Sequence, residues 1–422
     1  MKTNKVSILI MLCLFLSHHS VFAEDKITWR KCVQVAKENN PDLISATEQI
    51  NQARADRNID LSAMLPQIDA QATGTRSKSA NRNRTDTYSY GITGRQLLFD
   101  GFKTASEITG DLKAIESKEY NYAVSSSNVR LDLRSSFAAL MRAQNLVLIT
   151  KEIADRRKQN LELVRLRYES GRENKGSLLA AEADVAQAEF EIAQAQRSVT
   201  LSQRELSNAL GFASVNLWEA EGEFILQDNY SIKPDLELLT ELVPFLRDLI
   251  AKKEAARYNV NSKEADFLPK VYLNGSLGKT DDSWVPRNEE WSAGFSVTLP
   301  LLEGGSRIAE VWKARSQLEQ ARAAERSGRD SVLVTLEQSW KDLQDAIANV
   351  SVQNKFLDAA LERAKITRQQ YAIGLASFND WIIIEDNLVS ARKSYLNAQA
   401  DMLVAEAYWI QAIGGTLNYD ET

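Results

Sequence analysis

Residues able to do covalent or acid–base chemistry are scarce in this chain. Both histidines, His18 and His19, and one of the two cysteines, Cys13, fall within the first 23 residues, which read as a removable leader. The rest of the chain has no histidine and one cysteine, Cys32. Ser-His-Asp and Cys-His nucleophiles and Cys/His zinc sites cannot be assembled from that inventory. Adjacent carboxylates remain, Glu289-Glu290 and Glu385-Asp386. Sequence neighbours do not face each other across one surface, so they make a poor acid–base pair. No enzyme activity, metal site or cofactor is expected, and Cys32, in an amphipathic segment, reads as a small buried apolar residue.

The leader has Lys2 and Lys5, an apolar run from Val6 to Leu16, and Val21-Phe22-Ala23. That is the pattern of a secretory signal peptide over 1–23, cleaved after Ala23. Removing its two lysines takes the net charge from −6 to −8, which disfavours a nucleic-acid partner. No later stretch approaches ~18 uninterrupted apolar residues, so a membrane would have to be crossed by strands.

The informative spacing is a repeat. Tyr168 to Glu182, YESGRENKGSLLAAE, and Tyr371 to Glu385, YAIGLASFNDWIIIE, lie 203 positions apart with their tyrosines, glycines and glutamates in step. The same offset links Pro41 with Pro244, Leu65-Pro66 with Leu268-Pro269, Gly101 with Gly304 and Gly211 with Gly414. The chain is a duplication of a domain-sized unit. The first copy is placed at 24–210, a linker at 211–235 and the second copy at 236–422.

Each copy opens with a helix, Pro41 to Met64 and Asp235 to Phe267, stopped by a Leu-Pro pair. Hairpins come after them over 66–100 and 269–303. In the second, Val271, Leu273, Gly275 and Leu277 alternate with polar residues, as do Trp291, Ala293, Phe295, Val297 and Leu299. In the first, Ile68, Ala70 and Ala72, then Tyr88, Tyr90 and Ile92, do the same. Period-two patterning with a polar face that is not mostly charged and aromatics near the strand ends points to membrane-barrel strands. Tyr88, Tyr90, Ile92, Leu273, Trp291 and Phe295 are the expected lipid-facing and interfacial residues. Four strands cannot close a barrel; two copies would supply eight strands and three would supply twelve, and spacing does not choose.

Proline-free helices come next, over 102–169 and 306–372, each roughly 100 Å long at ~1.5 Å per residue. Leu336, Trp340, Leu343, Ile347 and Val350, and Leu133, Phe137, Leu140 and Val147, carry a coiled-coil seam. The chain then reverses at Gly171 and Gly374, and shorter helices return over 178–210 and 378–413. Ala180, Ala181, Ala183, Ala186 and Ala188 suggest close helix approach. The linker and the tail after Gly414 are expected to pack against the middle of the long helices.

Arg167-Tyr168 with Gly171 and Lys175-Gly176-Ser177-Leu178, and Tyr371 with Gly374, Ser377, Asp380 and Glu385, in this order and at one offset, resemble the TolC-like outer membrane efflux protein family. The resemblance covers essentially the whole chain after the leader. It implies a mixed, mainly-α fold, in which a homotrimer joins a 12-stranded transmembrane β-barrel, four strands per chain, to a long α-helical coiled-coil barrel. It implies the outer membrane of a Gram-negative bacterium, with a long periplasmic portion. It also implies the exit duct of a tripartite efflux or type I secretion system, served by a periplasmic adaptor and an inner-membrane pump of RND, ABC or MFS type. Tyr371 and Asp380 match the family's closing tyrosine and constriction acid, and three Asp380 carboxylates would form a cation-attracting collar. Ala376 stands where well-known members carry arginine, and Ile383 where they carry a second aspartate. Glu173, Lys175 and Glu385 are the substitutes in a closing network, Glu385 having a second reading as a solvated helix-start residue. Tyr168, Gly171, Gly176, Ser177, Gly374 and Ser377 are assigned to the adaptor-facing tips. The alternative is a periplasmic coiled-coil adaptor or scaffold without membrane strands.

Overall fold

The computed structural model describes residues 26–79, 82–227 and 230–419, so the expected signal peptide lies outside the described residues. The chain runs β1 (Lys26–Thr28), α1 (Trp29–Asn39), α2 (Pro41–Ser62), β2 (Gln67–Ser79), β3 (Arg82–Phe99), α3 (Lys103–Glu169) and α4 (Lys175–Ala209). It continues β4 (Glu219–Glu221), α5 (Leu236–Thr240), α6 (Pro244–Ala265), β5 (Lys270–Asp281), β6 (Asn288–Thr298), α7 (Ser306–Ala372) and α8 (Phe378–Ala412).

Two compact units form, and each draws on both copies of the repeat. One combines Asp132–Leu226 and Ala348–Val404 with the residues up to Asn39; the other combines Asn40–Leu131, Gln227–Ile347 and the residues from Ala405. Sequence duplication and spatial packing therefore divide the chain differently. Helices long enough to serve two cores allow this: α3 and α7 have 67 residues each.

The expected helix from Asp235 to Phe267 is two helices, α5 and α6. Pro244 forces its predecessor Val243 into an extended conformation (φ −61°, ψ 126°), which ends α5's path and restarts the helix. Asn40 does the same before Pro41, and its side-chain oxygen also caps α2 by accepting from Asp42 N–H at 2.9 Å. The short β1 pairs in parallel with β4, and Trp29 at the start of α1 meets Phe137 edge to face at 6.1 Å. These short elements carry no periodic signal of their own. Cys32 is buried, and burial pushes its thiol up to about 12.

The four-stranded sheet belongs to the second unit and runs β2-β3-β5-β6, antiparallel throughout. Its register lines up one apolar face. Ala70 opposes Ile92, Ile92 opposes Leu277 and Leu277 opposes Trp291; Leu273 opposes Phe295. Ile92, Leu273, Leu277, Trp291 and Phe295 are exposed on that face, Phe295 by 78%. The opposite face is polar, with Thr73 hydroxyl-bonded to Ser89 at 2.6 Å and Ser276 to Ser292 at 2.8 Å. From Trp291 to Leu299 the apolar face covers roughly 26 Å of strand, or about 20 Å of membrane at ~40° tilt. The soluble scaffold alternative has no use for such a face. Tyr88 and Tyr90 both pack edge-on against Trp284, at 5.3 and 6.0 Å, building an aromatic belt at the loop end.

Most seam residues are core: Leu336, Leu343, Leu133 and Leu140 are fully buried and Trp340 and Phe137 nearly so, while Val147, Ile347 and Val350 are half-buried. Of the five α4 alanines only Ala181 and Ala188 are buried; with Ala195 they recur every seventh residue, while Ala180, Ala183 and Ala186 face out. The linker touches a return helix as well as a long one: Gln203 of α4 donates to the Trp218 carbonyl at 3.1 Å and Gln344 of α7 to that of Tyr230 at 2.9 Å.

One contact in the second unit works against folding. Asp111 of α3 meets Asp60 and Asp56 of α2 and Glu107 of its own helix, and burial with the Asp60 charge pushes its carboxyl up to about 6. A carboxyl with a raised folded-state pKa adds stability as pH falls through that value and subtracts it above. Asp111→Asn is therefore expected to raise the thermal midpoint of the purified protein at pH 7.5, with a gain that shrinks towards pH 4.5. A lower midpoint at pH 7.5 would refute the assignment.

Candidate functional site: the helical reversals and their lock

Both reversals are built by the same local device. Helix α3 ends as Gly171 N–H reaches the Tyr168 carbonyl at 2.9 Å and Arg172 N–H the Arg167 carbonyl at 2.8 Å; Gly374 and Leu375 repeat this on Tyr371 and Gln370 at 3.1 and 2.8 Å. Such a closure needs a left-handed residue, and Gly171 (φ 71°) and Gly374 (φ 85°) supply it. The return helices are capped differently. Asn174 accepts from Ser177 N–H at 2.9 Å, whereas Ser377 accepts from Asp380 N–H at 3.1 Å and donates its hydroxyl to the Asp380 carboxylate at 2.6 Å. Asp380 thus stays exposed in the first turn of α8, where the helix dipole favours its charge.

Equivalent positions have diverged. Tyr168 is 38% exposed, and its counterpart Tyr371 is fully buried. The Tyr371 ring stacks on Trp381 at 4.3 Å with 18° between planes, and Phe378 packs against it edge-on. Val164 of α3 and Ala181 of α4 complete this core. The Tyr371 hydroxyl donates to Glu173 at 2.9 Å. Arg167 donates to the Tyr371 carbonyl at 2.8 Å and also lies over its ring, 4.6 Å from the centroid. Burial, then the Glu173 carboxylate, push the phenol pKa up, so the hydroxyl is a proton donor throughout the physiological range.

Two turns into α8 a second set of links crosses between the hairpins. Arg156 of α3 grips Glu385 with both nitrogens, at 2.5 and 2.9 Å, and Trp381 Nε1 donates to the same carboxylate at 3.2 Å. Arg157 reaches Asp386 of α8 and Asp184 of α4, the latter at 3.5 Å. Burial raises the Asp184 pKa, Arg157 opposes that rise, and Asp386 adds to it. Lys393 to Glu191 (2.7 Å) and Arg392 to Glu152 extend the links along α8.

Of the residues assigned from sequence, Tyr371 and Glu173 are brought together within one chain, and Glu385 joins them through Trp381. Glu385 is not solvated: it is 2% exposed and occupies the seam position between Trp381 and Leu388, in a 3-4-3 spacing from Phe378. Lys175 is exposed at the first turn of α4, away from this network. Ser177 is buried and turned toward Asn174, so it is no tip-surface residue; Gly171, Gly176, Gly374 and Ser377 are exposed. Ile383 is 57% exposed, and Ala376 packs against the Tyr371 cluster. Sequence reasoning missed Arg156, Arg157, Phe378 and Trp381, and singled out Arg167 only as part of the family motif. The seam spacing could have flagged Glu385 as a core carboxylate in need of a cation.

Removing one partner of a buried pair costs ~3–5 kcal/mol, and Arg156 keeps 28% of its side chain in water, so Glu385→Ala is expected to cost about 2–3 kcal/mol. Replacing Arg156 as well, by Leu, with Glu385→Leu, should restore most of it. A double-mutant cycle in chemical denaturation with no coupling would show that the pair does not hold the hairpins.

The outer membrane efflux protein family model matches residues 32–212 and again 237–415. The outer membrane efflux protein BepC of Brucella suis is 24% identical, over 90% of this chain and 83% of the relative. The alkaline protease secretion protein AprF of Pseudomonas aeruginosa is 23% identical, over 88% and 81%. The open-state crystal structure of the Neisseria gonorrhoeae MtrE outer membrane channel superposes with a TM-score of 0.82 at 19% identity, over 96% and 95%. With both copies of the repeat matched and the fold shared, the chain belongs to the outer membrane efflux protein family.

Proposed function

We propose that this protein is the outer-membrane exit duct of a tripartite efflux or type I secretion assembly, working as a homotrimer with a periplasmic adaptor and an inner-membrane pump. The observation that carries this is one chain holding a four-stranded sheet with an apolar outer face and a pair of long helical hairpins whose reversals are locked by buried polar links. Three copies of the sheet close a twelve-stranded barrel with no edge left in lipid. Three copies of the α7–α8 turn bring Asp380 around one axis and narrow the inner end.

In this mechanism the α7–α8 hairpin is the moving part and α3–α4 its support. Opening breaks Tyr371 from Glu173 and Glu385 from Arg156, with Trp381 carried along. Links of ~1–3 kcal/mol each need leave a closed-state preference of only about 4 kcal/mol to keep roughly one protomer in a thousand open unaided. The adaptor and pump supply the difference by binding the open form better. Asp380 carboxylates draw cations to the constriction, while Ile383, one turn further along the same exposed side, offers no charge.

Asp380→Ala is expected to raise single-channel conductance or weaken cation preference in planar bilayers. Unchanged conductance and selectivity would remove Asp380 from the constriction. Chemical cross-linking in membranes should saturate at three chains; saturation at two would overturn the twelve-strand count.

A further inference from the structure

The outer end of the β2–β3 hairpin carries charge that neither the barrel nor the closing network uses. Along β2 the outward positions Ala70, Ala72 and Gly74 are succeeded at the same alternation by Arg76, and along β3 they are Asp86, Tyr88 and Tyr90, with Arg76 directly opposite Asp86 and Gly74 opposite Tyr88. Beyond Ser77 the pairing shifts register, and Lys78 and Arg84 are exposed in that irregular stretch. Arg76 and Arg84 share one carboxylate: Arg76 holds Asp86 at 2.7 Å, and Arg84 lies 3.7 Å from it. Lys78 is exposed and makes no ion pair among the described residues. Three cations against the two acids Asp86 and Asp281 leave a net positive charge among the described residues here. The neighbouring Asp281, opposite Tyr88 on β5, is occupied by the backbone N–H groups of Asp282 and Arg287 at 2.8 and 3.3 Å.

The position of this charge is as telling as its sign. Arg76 stands two residues, about 7 Å, beyond the row of Tyr88, where the aromatic belt of Tyr88, Tyr90 and Trp284 ends the apolar face. The Tyr90 hydroxyl donates to the Trp284 carbonyl at 2.8 Å and pins the β5–β6 loop over that belt. Aromatic belts sit at headgroup depth, so cations one step further out meet phosphates. The second hairpin lacks this surplus: Lys279 is paired with Glu289 at 2.9 Å.

We propose that Arg76, Lys78 and Arg84, on the described outer ends of β2 and β3, bind the phosphorylated headgroups of lipids in the outer leaflet. This rests on the sheet spanning the outer membrane. Asp86 sets the strength of the site, because it holds two of the three cations until a phosphate competes for them. Guanidinium groups suit that exchange, since their fork accepts phosphate as readily as carboxylate.

The test uses the purified protein in neutral detergent, titrated with a bisphosphorylated acyl-disaccharide lipid, with the same lipid stripped of phosphate, and with inorganic phosphate. The phosphorylated lipid is expected to bind at least ~10-fold more tightly than the stripped one. R76Q/K78Q/R84Q should abolish that preference, and Asp86→Asn should strengthen it several-fold. Arg84→Gln alone, at an exposed side chain, should weaken binding about threefold and serves if the triple variant fails to fold. Equal binding of the two lipids, or an unchanged preference in these variants, overturns the proposal, as does displacement of the lipid by inorganic phosphate at comparable concentration. Conductance of the same samples in planar bilayers separates the two readings. A conducting protein without phosphate preference loses the headgroup site and keeps the channel; a protein that never conducts loses both.

Discussion

An unpaired sheet edge in lipid is the constraint on which the other features depend. The β2-β3-β5-β6 sheet has two edges, and each N–H and C=O left unpaired in hydrocarbon costs several kcal/mol. A single chain has no strand with which to close them. Copies of itself must do so, and cyclic closure places every chain at the same distance from one axis. Every residue of the chain is then repeated around that axis. In the proposed duct a lone exposed aspartate such as Asp380 would become a ring by symmetry.

Duplication supplies the backbone of this arrangement, and divergence between the copies supplies its mechanics. The glycine closures at Gly171 and Gly374 are alike in geometry. The side chains around them are not: Lys175, Leu178 and Glu182 in one copy are Phe378, Trp381 and Glu385 in the other. The second copy thereby gained an aromatic core and a buried carboxylate, and the first gained the Arg156, Arg167 and Glu173 that answer them. Each copy holds half of the lock.

Legibility divides along the same line. The duplication, the alternating strands and the long helices were readable because each is a periodic pattern reinforced by a second occurrence at the same offset. The break between α5 and α6 was foreshadowed by Pro244, yet a continuous apolar pattern on both sides masked it. The β1–β4 pair, three residues on each strand, was invisible because neither segment is long enough to show a period. The lock was missed for a different reason. Arg156 and Glu385 are 229 residues apart, and tandem arginines facing tandem acids look, in one dimension, like ordinary solvated charges. Ser177 lies three residues inside the Asn174 cap, and its repeat counterpart is Asp380; the serine that caps its helix is Ser377, the counterpart of Asn174.

The choice of an ion pair for the seam, where leucine would pack, has a physical reason tied to opening. Apolar replacement of a buried pair is often neutral or stabilising, so Arg156 and Glu385 do not maximise the grip between the hairpins. What they add is a different response to separation. An apolar seam exposes hydrocarbon to water when it parts, and that cost rises with every ångström of surface uncovered. A parted ion pair recovers hydration at once, which offsets much of the Coulomb energy lost. In the proposed duct such a link would be specific in register when closed and readily broken when a partner pulls, the combination needed to be tight at rest and still open on demand.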